Sequence, residues 1–172
     1  MNKSIILTVM VATLALFGGL FVQQTLGDVK QIPLDTAQIE FSLPDSGKKQ
    51  QAISQWRGKF VVINFWATWC SPCLKEIPEF IKIQNEYQSR GVQFVGVAID
   101  DHESVNDYLE TIENNYPQLV AGDGGIALAK QLGNTANAVP FTIVLNPAGQ
   151  ISHRHTGELS RNELIAILSS FV

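Results

Sequence analysis

Apolar and polar residues follow two different periods along this 172-residue chain, after one long uncharged stretch near its start. That stretch, IILTVMVATLALFGGLFV over residues 5–22, is preceded by Lys3 and followed by Gln23-Gln24. A polar segment with Pro33 comes next, and Ile39-Glu40-Phe41-Ser42-Leu43 then alternates at period two, as a half-buried strand does. Pro44-Asp45-Ser46-Gly47 is turn chemistry, and a second short strand is expected over 51–53. Phe60-Val-Val-Ile-Asn-Phe-Trp66 is continuous, apolar and β-branched, the signature of a central strand buried on both faces. From Ser71 the spacing turns helical: Leu74, Ile77, Ile81, Gln84 and Tyr87 share one side until Gly91 ends the run. Another buried strand is expected over 92–99. Ser104-Val-Asn-Asp107 reads as a capping box opening a helix to about residue 114, and a shorter helix is expected over 126–132. Residues 141–145, a Pro147-Ala-Gly149 turn and residues 151–155 read as a hairpin before a last helix over 160–171.

Strands alternating with helices predict an α/β fold, a central mixed sheet with helices on both faces. With residues 1–24 set apart as a membrane anchor or signal peptide and 25–37 as a tether, 38–172 makes one domain of ordinary size. The formal charge is -4, and Lys3 is the only charge before Asp28, so the remainder carries -5. That balance, without a Lys/Arg run or a basic stripe, excludes a nucleic-acid binder.

At 18 residues, 5–22 sits at the lower edge of a bilayer-spanning helix, for which about 20 are typical. A cleaved signal has a shorter apolar region, roughly 7 to 15 residues, and Thr25-Leu26-Gly27 is a weak cleavage site. The uncleaved anchor is the preferred reading. Either way the basic flank stays cytoplasmic and the domain is exported to the extracytoplasmic side of the membrane.

The chain has only two cysteines, Cys70 and Cys73. Three residues apart, they cannot staple distant segments, and a single Cys-x-x-Cys is half of a structural zinc site. They read as a redox dithiol that needs neither cofactor nor metal. In an oxidising compartment such a dithiol stays reduced only if an electron donor in the membrane replenishes it. The strand ending at Trp66 leads through Ala67-Thr68-Trp69 into Cys70-Ser71-Pro72-Cys73, which puts Cys70 at a helix start and Cys73 one turn inside. Free backbone N–H groups and the helix dipole there stabilise a thiolate, making Cys70 the nucleophile and Cys73 the resolving thiol. Pro72 suits a first turn, where its missing N–H costs no helical bond.

These residues resemble the thioredoxin superfamily, and within it the membrane-anchored TlpA/ResA-like thiol:disulfide oxidoreductases of bacteria. The resemblance spans about residues 39–170 and is carried by four segments: Arg57-Gly-Lys59, Val62-Ile-Asn64-Phe-Trp66-Ala-Thr-Trp69-Cys70-Ser-Pro-Cys73, Glu76-Ile-Pro78 and Val139-Pro140-Phe-Thr142. It implies a thioredoxin-like fold with an N-terminal β-hairpin extension and an inserted helical segment. It further implies exchange with protein thiols and disulfides, as a reductase keeping apocytochrome c or copper-site thiols reduced, with electrons from a membrane thiol transporter. A monomer is expected.

For individual residues the resemblance implies that Pro140 is cis and packs beside the dithiol, so that the backbone at Val139 and Pro140 meets substrate. Trp69, Ser71 and Pro72 then belong to the substrate rim, Trp66 to the core, and Pro78 to a helix kink. Thioredoxin carries a buried aspartate at the position matching Asn64. Since Asn64 cannot take a proton, that role passes to Glu76, which matches the acidic residue of this subfamily and tunes Cys73 or relays its proton. The plainer reading of Glu76 is a solvated helix carboxylate.

Other signals weigh less. His153 and His155 share a strand face, a possible metal pair, yet polar residues on an exposed face need no ligand. Asp100-Asp101-His102-Glu103 reads as capping and solvation of a helix start, and Gly122-Asp-Gly-Gly125 as a turn. Two rival functions remain: a Cu(I)-binding or copper-delivery module using Cys70 and Cys73 with a histidine, and a thiol peroxidase. The peroxidase motif places Pro and Thr ahead of its cysteine, where this chain has Ala67-Thr68-Trp69.

Overall fold

A computed structural model describes residues 36–171. The anchor or signal expected over 1–24, with its bilayer contact through 5–22, and all but the end of the tether over 25–37 lie outside the described residues. Along the chain run β1 (Ser42–Pro44), β2 (Gln50–Ala52), β3 (Phe60–Trp66), α1 (Ser71–Tyr87), β4 (Val92–Ala98) and α2 (His102–Leu109). They are followed by β5 (Gln118–Val120), α3 (Gly124–Gln131), β6 (Phe141–Leu145), β7 (Ile151–Thr156) and α4 (Arg161–Ser169). β1 and β2 form an antiparallel hairpin. The other strands make a mixed sheet in the order β5-β4-β3-β6-β7, parallel through β5, β4 and β3 and antiparallel from β3 to β6 to β7.

β3 takes the centre because it is apolar on both faces. Val61, Ile63 and Phe65 join a cluster with Val95, Val97, Leu132 and Ile143. Val62 packs on the opposite side with Phe80 and Ile83 of α1 and Leu164 and Leu168 of α4. Trp66 belongs to a third cluster that contains Cys70, Cys73, Ile77 and Val105. Strand alternation puts Asn64 between Val62 and Trp66 on the α1 side, a polar group in an otherwise dry wall. The sheet thus carries the chain straight from its central strand into the helix that begins at the dithiol.

Some boundaries differ from the sequence pattern. Only Ser42–Pro44 pairs as the first strand, because the backbone N–H of Ile39 is donated to Gly149 O at 2.8 Å and Gln38 bridges Gln150. Ser104 opens no helix: Asp101 is the N-cap of α2 and its carboxylate accepts from the Ser104 N–H at 2.9 Å. Aspartate is as good a cap as serine, so Ser104 becomes the third helical residue. The helix also stops at Leu109, short of residue 114. A capping box does exist at α4, where Ser160 and Glu163 bond reciprocally. β5 is a strand the pattern does not predict; it is three residues long and begins with Gln118. Gln118 lies over Gly96 of β4, where a Cβ would run into its amide.

Candidate active site

The loop between β3 and α1 is pinned before it reaches the cysteines. Thr68 gives both its backbone N–H, at 3.2 Å, and its hydroxyl, at 2.5 Å, to Asp100 just past β4. The run 100–103, read as capping and solvation, therefore divides: Asp101 caps α2, while Asp100 fixes the approach to the dithiol.

Cys70 is the N-cap of α1, and its Sγ accepts from the Cys73 N–H at 3.3 Å. The two cysteines are joined as a disulfide with their Cα atoms 5.3 Å apart. Cys70 is 5% exposed and Cys73 fully buried, so Cys70 carries the outer sulfur. The unpaired N–H groups and positive dipole end of α1 favour negative charge on that sulfur once the bond opens. Pro72 occupies the first turn as expected, and Ser71 and Pro72 are exposed.

The tryptophans separate. Trp66 is wholly buried and gives its Nε1–H to Gln118 Oε1 at 2.9 Å, whereas Trp69 is 67% exposed at the mouth of the site. Val139-Pro140 is a cis peptide. Pro140 is buried, and Val139 packs against the cluster holding both cysteines and faces the same hollow as Trp69. Pro78 lies inside α1.

Glu76 is not a solvated carboxylate. One turn beyond Cys73 it is 3% exposed; its Oε1 accepts from Asn64 Nδ2 at 2.7 Å and its Oε2 from the Leu159 N–H at 3.0 Å. Burial pushes this carboxyl up to about 7, helped by the charge of Glu158, against the opposing pull of the Leu159 N–H and the Asn64 amide. Asn64 Nδ2 also donates to Thr142 Oγ1 at 3.1 Å, from the residue directly opposite it on β6. Sequence reasoning treats Asn64 only as a missing base. The structure makes it the group that holds one, and the available signal was an amide in the middle of an apolar strand. Thr142 and Asn134 were also missed; Asn134 ties down the loop before Val139 through a 2.8 Å bond to Ala138 O.

His155 Nε2 lies 3.2 Å from the Glu158 carbonyl, and no group of three His, Cys, Asp or Glu poised for a metal occurs among the described residues.

The redoxin family model matches residues 32–168. Over 123 residues the chain is 29% identical to the thiol-disulfide oxidoreductase ResA of Bacillus subtilis (strain 168), an alignment covering 71% of this chain and 66% of that protein. Over 129 residues it is 30% identical to the thioredoxin-like protein YneN of the same organism, covering 73% and 72%. Among solved structures, a thioredoxin family thiol:disulfide interchange protein from Chlorobium tepidum TLS superposes with a TM-score of 0.68 at 28% identity, covering 80% of this chain and 96% of that one.

Proposed function

The chain belongs to the redoxin family and is a thioredoxin-like thiol:disulfide oxidoreductase; from that premise we propose that it reduces disulfides of cell-envelope proteins. In this reading Cys70 is the attacking thiolate, Cys73 the resolving thiol and Glu76 the group that takes the Cys73 proton. Cys70 attacks one sulfur of the substrate disulfide, forming a mixed disulfide and releasing one substrate thiolate. Cys73 then attacks Cys70 Sγ and releases the second, so the two electrons of the dithiol end on the substrate and the enzyme becomes the Cys70–Cys73 disulfide. Cys73 must lose its proton to attack. A carboxyl held near 7 is present in both forms close to neutral pH, which suits it to receive that proton and pass it on to a departing thiolate.

The observation that supports this most directly is the Cys70 sulfur at the N-cap of α1 accepting from the Cys73 N–H, because that donor also faces a free Cys70 thiolate. Exposed Trp69, Ser71 and Pro72, with the Val139-Pro140 backbone, supply the substrate rim. Residues 5–22 anchor the chain with the domain on the extracytoplasmic side, and a membrane thiol transporter returns electrons to the disulfide. Apocytochrome c and copper-site proteins, whose cysteines must be kept reduced, are the substrate class.

A Cys73→Ala variant expressed in the native host tests the reading. Envelope proteins trapped on Cys70 and released by reductant are expected; normal expression with nothing trapped would overturn it. Redox titration tests direction, since a potential near that of strong oxidants, about -120 mV, would mean oxidation instead.

A further inference from the structure

Two hollows meet beside the dithiol, and Trp69, Ile99 and Ile126 wall both. Trp69 and Ile126, 67% and 49% exposed, are the large apolar side chains left open to water among the described residues. The first hollow, about 290 Å³, is largely apolar and is bounded by Val139 and Asn134. Asn134 is 2% exposed, and its Nδ2 donates to Ala138 O at 2.8 Å, which fixes that wall. The second hollow, about 360 Å³, is lined by the carboxylates Asp100, Asp101 and Asp123 and by no cation. Asp100 and Asp101 are bonded to Thr68 and Ser104, while Asp123 makes no capping bond at the start of α3.

We propose that this surface selects polypeptide substrates whose reactive cysteine is flanked by a large apolar residue on one side and by Lys or Arg on the other. The apolar side chain fills the first hollow against Val139. The aliphatic stem of the basic residue lies along Trp69, with its cation near the ring face and facing three carboxylates. An acidic flank would meet like charge on a domain that already carries -4, so selection works by repulsion as well as attraction. The inference rests on Cys70 performing the exchange proposed above.

The test measures kcat/KM of the reduced full chain on synthetic peptide disulfides that differ only in their flanks: Leu with Lys, Leu with Glu, and Ser with Lys. The Leu/Lys peptide is expected to exceed Leu/Glu by about tenfold at low salt, with the gap shrinking as salt rises. Asp123→Asn should narrow that gap by speeding the Leu/Glu peptide, and Ile126→Ser should erase the preference for Leu over Ser. Equal rates on Leu/Lys and Leu/Glu, or a gap that Asp123→Asn leaves intact, would overturn the selection. Failure to reduce any of the three by folded, reduced protein would instead overturn the exchange reading itself.

Discussion

The underside and the outer side of the Cys70–Cys73 bond invert the ordinary distribution of side chains. Beneath it a carboxyl, an amide and a hydroxyl, those of Glu76, Asn64 and Thr142, are sealed among apolar residues and bonded to one another. Outside it Trp69 and Ile126 stand in water. Only two residues separate Trp66 from Trp69, yet strand alternation turns the first into the core and the loop releases the second. The same holds for acids: α1 carries Glu76 inward, while Asp101 and Asp123 stay wet. Buried polar and exposed apolar groups are both costly, and finding them back to back across one disulfide marks the place where stability gives way to chemistry.

The largest effect divides the two sulfurs. Cys70→Ser should lower peptide-disulfide reduction by a factor on the order of a thousand or more, because no other nucleophile stands at the rim. Cys73→Ala should leave the first attack intact and stall the cycle at the mixed disulfide, seen as a mass increase on the protein equal to one substrate chain. If both variants lost the first attack equally, the outer and inner sulfurs would not be distinct.

Next comes packing. Trp66→Ala removes a fully buried indole and leaves Gln118 Oε1 without its donor, so a cost of about 4 kcal/mol is expected in urea unfolding. Trp69→Ala should cost less than about 0.5 kcal/mol in the same measurement. Comparable losses from the two would erase the contrast between inside and outside.

Glu76 gives a pH signature. Its carboxyl is raised from 4.5 to about 7 in the folded protein, so the protonated form is the one that folding favours. The sign follows: stability is complete below about pH 4.5 and declines as pH rises through 7, where burying the charge costs about 3 kcal/mol. Unfolding of the oxidised protein at pH 5 and pH 8 should show that loss, and Glu76→Gln should flatten it. Glutamine is tolerable because Asn64 Oδ1, now unpaired, can turn to accept from the new amide. Asp45, Glu79, Asp101 and Glu163 are held below their usual range, so they destabilise only toward acid pH and do not mimic the effect.

Much of this arrangement could be read from the chain. The apolar run 60–66, the helical spacing after Ser71 and the Cys-Ser-Pro-Cys sequence are local patterns, and local patterns fix β3, α1 and the order of the sulfurs. What stayed hidden depends on partners far away in sequence. Gln118 makes a strand because Gly96 leaves room for it; Leu159 reaches Glu76 across 83 positions; Asp100 reaches Thr68 across 32. Asn64 shows the limit best, for its type excluded one role and only its neighbours revealed another.

The smallest effect tests whether exposure at Trp69 serves binding. With the cysteines untouched, Trp69→Ala should raise KM several-fold, a change of about 1 kcal/mol, while leaving the reaction of Cys70 with a small thiol reagent unaltered. Trp69→Phe keeps the flat apolar face and should recover most of the loss. A mere gap in packing would instead weaken the fold and slow both reactions together, because α1 would lose its fixed start at Cys70. Separation of KM from the small-reagent rate therefore distinguishes a surface that reads substrates from one that only covers the sulfur. The exposed ring argues for the former, since a covering residue would lie against what it protects.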